Sequence, residues 1–237
     1  RLMELPKDIR IVEVGPRDGL QNESKTVSTE RKAEFIRRLS ASGLRDIEVT
    51  SFVHPKWVPQ LADADALTAL LPENPAIRYS ALVPNMKGLD RAIASGIRRI
   101  AVFTAASETF NRKNINMGIE ESIAGFKPLV ARALAEGMSV RGYVSTCFVC
   151  PYEGWIPKER VGEVVAALFG LGVDEVSVGD TIGAATPMDV ELTGAHLLSR
   201  FPARQLAMHF HDTYGMAIAN VVHAIQMGLR TFDSSSG

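Results

Sequence analysis

Cysteine is scarce in this 237-residue chain, which has two in all. Two thiols in that length rule out a disulfide scaffold and suit a reducing compartment. A surplus of either charge is also missing, since 26 Lys and Arg face 27 Asp and Glu. Without a strongly basic field to neutralise phosphates, no nucleic-acid partner is expected. No apolar run reaches the ~18 residues of a membrane span, and no secretory hydrophobic region stands at the start, so no membrane partner is expected either. No linker rich in Pro, Gly and Ser, no charge run and no low-complexity tract divides the chain. Residues 1–237 are therefore expected to form a single domain, of a length at which α/β barrels are common. The chain opens "RLMELP" without an initiator Met, which leaves room for a processed leader or for further residues before it.

Present instead are short β-branched runs alternating with longer helical patterns. The strand candidates span 9–14, 45–52, 77–83, 98–104, 138–145, 174–180, 205–211 and 230–235. Helix candidates lie between them at 29–42, 60–71, 87–95, 118–136, 157–171, 187–200 and 214–228. The first of these has a cap in Ser28 or Thr29, apolar residues at three- and four-residue spacing, and Gly43 at its end. Eight strands alternating with helices in this length predict a (β/α)8 TIM barrel. The competing doubly wound sheet would carry GxGxxG after its first strand, and the chain has none. After the eighth strand candidate the sequence stops at "SSSG". A covering helix is then missing from a sheet normally covered on both faces, so the natural protein is expected to continue past Gly237.

"HFHDTYG" (209–215) places two imidazoles one residue apart on the seventh strand candidate. Residues i and i+2 of a strand share a face, so His209 and His211 point one way with Ala207 below them, and Leu206, Met208 and Phe210 point the other. In a barrel that parity puts the imidazoles inward at the C-terminal mouth, where active sites lie. Two histidines alone do not settle a metal; hydrogen-bonded packing histidines would read the same. At the end of the first strand candidate, "EVGPRDGLQNE" (13–23) presents Arg17 and Asp18 at the same mouth. In isolation "RDG" is a surface turn. There, its carboxylate can complete a set with the two imidazoles that suits Mg²⁺ or Mn²⁺, with Zn²⁺ as the alternative. Glu48 shares the parity of Asp46 and Thr50 and either orients Arg17, holds a metal-bound water, or forms a structural pair with a barrel cation. Asp180, in "VGDT" at the sixth strand's end, reaches the mouth by the same rule. Cys147 and Cys150, in "CFVC", have no second half of a zinc site and read as ordinary barrel thiols.

"EVGPRDGLQNE", "TSFVHPKWVPQ" (50–60), "VRGYVS" with "CPYEG" (140–154), "VGDTIG" (178–183) and "HFHDTYGMAIAN" (209–220) together resemble the 3-hydroxy-3-methylglutaryl-CoA lyases. That family belongs to a TIM-barrel superfamily of metal-dependent lyases and acyl-CoA condensing enzymes. The likeness runs from about Leu5 to the end. "GPRDGLQNE" and "KWVPQ" resemble the lyase branch, whereas condensing synthases tend toward "LRDGEQ" and "HxHND".

The resemblance implies metal-dependent cleavage of 3-hydroxy-3-methylglutaryl-CoA to acetyl-CoA and acetoacetate. It implies Asp18, His209 and His211 as ligands of a divalent cation, and Arg17 as the cation that stabilises the thioester enolate. His209 is also a catalytic candidate, and Asp180 becomes an active-site carboxylate in an acid, base or positioning role. Asn114 is implied as a substrate contact; Gln21, which follows Arg17 and Asp18 closely, either reaches the substrate or is a plain loop amide; Arg112 and Lys113 either meet CoA phosphates or form a solvated basic loop. A family loop of the form "GGCPYA…GN", with a proton-transfer cysteine and a fourth ligand, would follow the eighth strand and is expected past Gly237. A small homo-oligomer, with a dimer favoured, and a cytoplasmic location (mitochondrial matrix for a eukaryotic source) are likewise implied. The alternatives are a lyase for a longer-chain 3-hydroxyglutaryl-CoA, an acyl-CoA condensing synthase, and, from another class, a barrel that binds acyl-CoA or metal without turnover.

Overall fold

The protein, seen here in a computed structural model, is described over residues 6–236. Leu5 and Gly237, the two ends named above, lie outside the described residues. Eight parallel strands close into a barrel: β1 (Arg10–Glu13), β2 (Asp46–Ser51), β3 (Arg78–Leu82), β4 (Arg99–Ala105), β5 (Ser139–Ser145), β6 (Glu175–Asp180), β7 (Leu206–Phe210) and β8 (Thr231–Ser234), in the cyclic order β1-β8-β7-β6-β5-β4-β3-β2. The helices between them are α1 (Thr29–Ala41), α2 (Ala64–Thr68), α3 (Met86–Ala94), α4 (Glu108–Ile115), α5 (Ile119–Ala135), α6 (Lys158–Gly170), α7 (Pro187–Leu198) and α8 (Ala217–Gln226). Each end of every strand falls within one residue of its expected place. By internal packing the chain forms two compact units, one built mainly on residues 11–102 and the other mainly on 103–130 and 141–233.

In the first unit β2 shows how the barrel sorts its side chains. Ile47 and Val49 are fully buried on one face, while Asp46, Glu48 and Thr50 share the other parity and are buried too. Its register with β3 shifts between Glu48 and Thr50, so the strand carries a bulge just above Glu48. Asp46 is paired with Arg78 at 2.8 Å. The helix expected over 60–71 is instead a 3-10 turn, Pro59–Leu61, followed by the short α2. Gln60 explains the break: its side chain accepts from Val27 N at 3.0 Å and donates to the Lys25 carbonyl at 3.2 Å. Its own carbonyl takes the buried Lys32 ammonium, which also pairs with Asp63 at 2.8 Å. A residue bound on three sides to the preceding loop and to α1 cannot enter a regular helix.

In the second unit α4 stands where the sequence reading allowed a solvated basic loop. "ETFNRKNI" lacks an apolar stripe, and the helix is set by its ends. The Ser107 hydroxyl accepts from Phe110 N at 3.1 Å, and Glu153 accepts from Thr109 N at 2.7 Å, satisfying amides that a helix start leaves open. Asn116 closes it in the left-handed conformation, φ 58°. Glu153 comes from a small antiparallel hairpin, Val149–Cys150 with Gly154–Trp155, whose Tyr152 ring also lies 6.4 Å from that of Phe110.

Candidate functional site

The segment after β1 is a single π-helical turn, Gly15–Gly19, in which the amides of Arg17, Asp18 and Gly19 all reach the Val14 carbonyl, at 3.1, 2.7 and 3.4 Å. π-turns cluster at functional sites because they aim side chains that an α-turn would not. Glu13 fixes the turn's base: its Oε1 accepts from Gly15 N at 2.8 Å and from Ser236 N at 2.9 Å. Burial raises the Glu13 pKa, against the pull of those two amides. A Cβ on Gly15 would stand 2.5 Å from the same Glu13 oxygen, so a side chain there would displace the Glu13 carboxylate from the turn.

The turn presents a clamped arginine. Arg17 is 7% exposed; its Nε donates to Glu48 Oε1 at 2.5 Å and its Nη1 to Asp18 Oδ1 at 2.7 Å. Glu48 thus bonds Arg17, as both the orienting role and a structural pair with a barrel cation require. Gln21 lines a surface cleft with Asn22, Glu23, Trp57, Val58 and Pro59, which joins the two segments that resemble the lyase branch.

In the other unit His209 and His211 stand side by side, with Nε2 atoms 3.1 Å apart. β7 ends at Phe210, so His211 lies one residue past the strand, and it is the exposed member of the pair. On its far side His209 meets Asp233 of β8, Nδ1 to Oδ2, at 3.0 Å. That carboxylate also accepts from Ser177 Oγ at 2.7 Å and from Arg141 Nη2 at 2.6 Å. Arg141 in turn donates to Glu175 at 2.8 Å and to the Tyr143 hydroxyl at 2.9 Å, and Glu175 takes Arg10 as well. Burial opposes the charge on both central members. Even so, Asp233, Tyr143 and Glu175 hold Arg141 well above its ordinary pKa, and Arg141 and His209 hold Asp233 well below the usual carboxylate range.

Asp180 is fully buried at the end of β6. Its oxygens accept from Ala184 N at 3.1 Å and from Ala185 N at 3.2 and 3.3 Å. Burial raises its pKa while those amides pull it down. The carboxylate thus ties the loop after β6, and Asn220 of α8 ties the same loop by donating to the Ala185 carbonyl at 2.8 Å. Gly183 in that loop has φ +67°, and a Cβ there would lie 2.8 Å from Thr213 N and 2.9 Å from the His211 carbonyl. The loop after β6 thus runs directly against the backbone of His211 and Thr213.

Asn114, Arg112 and Lys113 are exposed on α4, with the Lys113 ammonium 4.7 Å from the Tyr152 ring. Both cysteines are buried: Cys147 Sγ donates to the Val144 carbonyl at 3.0 Å and Cys150 Sγ to Ser107 Oγ at 3.0 Å. Burial pushes the Cys147 thiol up to about 12. Inert barrel thiols are the result, as the missing zinc half-site implied.

Asp18 offers a carboxylate oxygen in the first unit, and His209 and His211 offer adjacent imidazole nitrogens in the second. One hard oxygen and two imidazole nitrogens fit a divalent ion such as Mg²⁺, Mn²⁺ or Zn²⁺. Asp233, Arg141 and Glu175 escaped the sequence reading. A signal for Asp233 was there: it is a carboxylate within the last residues of the eighth strand candidate, much as Asp180 ends the sixth.

The HMGL-like family model matches residues 8–236. Hydroxymethylglutaryl-CoA lyase YngG of Bacillus subtilis (strain 168) is 50% identical over 235 residues, covering 99% of this chain and 79% of that protein. The crystal structure of hydroxymethylglutaryl-CoA lyase from Pseudomonas aeruginosa superposes with a TM-score of 0.96 at 45% identity, over 98% of this chain and 78% of that one. An HMG-CoA lyase from Acinetobacter baumannii, solved with coenzyme A and 3-methylmalate, gives a TM-score of 0.92 at 36% identity, over 96% of this chain and 74% of that one.

Proposed function

This chain belongs to the HMGL-like family, and on that premise we propose that it cleaves 3-hydroxy-3-methylglutaryl-CoA to acetyl-CoA and acetoacetate. Relatives near 50% identity along nearly the whole chain bear the name of that lyase. The observations that carry the reading to residues are Asp18 with the Arg17 guanidinium bonded to it, and the paired imidazoles of His209 and His211.

The reaction breaks the bond between C2 and C3 of the acyl group. The 3-hydroxyl loses its proton and becomes the ketone of acetoacetate. The electron pair of the broken bond passes to C2, giving the enolate of the thioester, and a proton delivered to C2 completes acetyl-CoA. Lyases of this family depend on a divalent metal, and Asp18, His209 and His211 are the residues that would hold it. Bound there, such an ion supplies Lewis acidity that makes the alcohol easier to deprotonate. Arg17 places a fixed positive charge for the thioester oxygen where negative charge develops, and a preorganised donor of this kind is commonly worth on the order of 10²–10³ in rate. Glu48 keeps that guanidinium in one orientation. Asp180 acts by position, since its oxygens are engaged by the loop amides. Gln21 and Asn114 are assigned to substrate, with the CoA end over the exposed face of α4. One catalytic barrel domain, working as a homodimer in the cytoplasm with Mg²⁺ or Mn²⁺, completes the reading. Among the described residues no helix is long and apolar enough to cross a membrane.

The test is cleavage of hydroxymethylglutaryl-CoA by metal-stripped protein with Mg²⁺ or Mn²⁺ restored, beside Arg17→Gln. Metal-dependent release of acetyl-CoA, with Arg17→Gln folded but nearly inactive, is the expected result. No release from the wild type with any metal would overturn the assignment. Product analysis with longer-chain 3-hydroxyglutaryl-CoA, and with 2-oxo acids plus acetyl-CoA, separates the longer-chain lyase and the condensing synthase.

A further inference from the structure

We propose that Asp233 is a positioning residue that keeps the His209 proton on Nδ1 and so leaves the Nε2 lone pair free for the metal. The inference rests on the reading of Asp18, His209 and His211 as the ligand set, and it extends that set outward by one carboxylate.

The Asp233 side chain is 1% exposed, so water does not set its hydrogen bonds. Oδ1 takes Arg141 Nη2 at 2.6 Å; Oδ2 takes Ser177 Oγ at 2.7 Å and faces His209 Nδ1 at 3.0 Å. Arg141 can only donate and an ionised carboxylate can only accept. Arg141 therefore fixes which oxygen points which way. The neighbours make the ionised form self-consistent: Arg10 and Arg141 carry two positive charges, Glu175 and Asp233 two negative ones, and all four are paired within one cluster.

Facing an acceptor, neutral His209 must put its single proton on Nδ1. Its other nitrogen, Nε2, is the one that lies 3.1 Å from His211 Nε2, and with Nδ1 engaged by Asp233 it is the nitrogen left to act as ligand. The two ends of one ring are thus divided, Nδ1 for the carboxylate and Nε2 for the ion. A ligand imidazole held by an outer carboxylate in this way is better oriented and more basic, and loss of such a partner typically weakens metal binding 10–100-fold. The Tyr143 ring packs edge-on beside His209, with centroids 6.4 Å apart at 86°.

Asp233→Asn gives a specific reversal. Arg141 draws the amide oxygen to the Oδ1 place, so the amide nitrogen takes the Oδ2 place and donates to Nδ1. The imidazole proton must then move to Nε2, where the ligand lone pair was. Asp233→Ala removes the carboxylate without imposing the wrong tautomer, but leaves Arg141 with less compensation. A purely structural Asp233 would make Ala worse than Asn in every measurement. A positioning Asp233 makes Asn worse than Ala for metal, and Ala worse than Asn for stability.

The experiment uses the wild-type protein, Asp233→Asn and Asp233→Ala, and Mn²⁺ alone as the probe. Mn²⁺ affinity is measured by calorimetry or electron paramagnetic resonance, and the His209 tautomer by ¹⁵N–¹H correlation on metal-free protein at pH 9, assigned by the signal lost in His209→Gln. The expected result is Nδ1–H in the wild type, Nε2–H in Asp233→Asn, and Mn²⁺ binding weakened about 10–100-fold in Asp233→Asn and less in Asp233→Ala. An Nε2–H tautomer in the wild type, which needs no variant to fold, overturns the proposal. So does Mn²⁺ affinity in folded Asp233→Asn within about twofold of wild type. Both readouts are independent of turnover, so a protein that binds Mn²⁺ this way yet leaves hydroxymethylglutaryl-CoA intact would sink the lyase reading and leave this one standing.

Discussion

Glu48 Oε1 lies 2.5 Å from Arg17 Nε, and both side chains are buried. An arginine held by its Nε edge keeps the rest of its fork in one plane, so its charge is aimed before substrate arrives. Glu48→Gln keeps the shape and removes the charge of the partner. The expected outcome is a fall in kcat of about 10–10²-fold with KM changed much less, because a donor that acts on developing charge is felt in the transition state. Mn²⁺ affinity should stay within about twofold. Steady-state kinetics beside a metal titration checks both; an equal loss in metal affinity would mean that Glu48 supports the ligand set instead.

Gly183 offers a test of how the loop after β6 sets His211. A side chain there meets the amide of Thr213 and the carbonyl of His211, on a backbone with φ +67°. The left-handed conformation alone costs roughly 1–2 kcal/mol for an L-residue. Gly183→Ala should lower the unfolding free energy by at least that much and weaken Mn²⁺ binding together with it, read by urea unfolding and by titration.

Metal removal should be visible in stability without any substrate. An ion that binds only the folded chain adds about 2.7 kcal/mol at a hundred times its Kd. Thermal unfolding with Mn²⁺ should therefore shift upward and return on chelation. Asp18→Asn, which exchanges the hard carboxylate for a neutral amide, should lose most of that shift while unfolding at nearly the wild-type temperature without metal.

The two thiols should be silent in the folded protein. With the Cys147 pKa raised by burial to about 12, its thiolate fraction at pH 8 is on the order of one part in 10⁴, and the thiolate is the reactive form. Disulfide-reagent titration at pH 8 should count no thiols before denaturation and two after it. Rapid labelling of either under native conditions would contradict the buried geometry.

Much of this was legible in the sequence, for a simple reason. β-branched runs such as "DEVSVGD" carry their own strand signal, and parity then put His209 and His211 together without any knowledge of the fold. Asp18 and Arg17 followed because barrel chemistry gathers at strand ends. The rest depended on partners far along the chain. Arg141 meets Asp233 across 92 positions and Glu175 across 34, distances at which no local pattern speaks. Helix α4 was invisible because its support comes from Glu153, 44 residues beyond the amide it caps. The helix expected over 60–71 was broken by Gln60, whose ties to Lys25 and Lys32 no hydrophobic period records. Gly-Pro in "GPRDG" reads as a turn, and the π-helical winding appears only once Val14 is seen accepting from successive amides.

The charged cluster behind His209 also bears on how such a protein fails. A barrel whose interior here was hydrocarbon of equal volume would fold as well or better, whereas truncating one member of a buried ion group commonly costs 3–5 kcal/mol. Drift by single substitutions is therefore punished before it can accumulate, since each truncated member strands a partner on another strand. Copies in which truncation has stranded a charge would lose stability along with the support of the imidazole, and so be more open to proteolysis. Quality control over the ligand's aim is in this way delegated to folding itself.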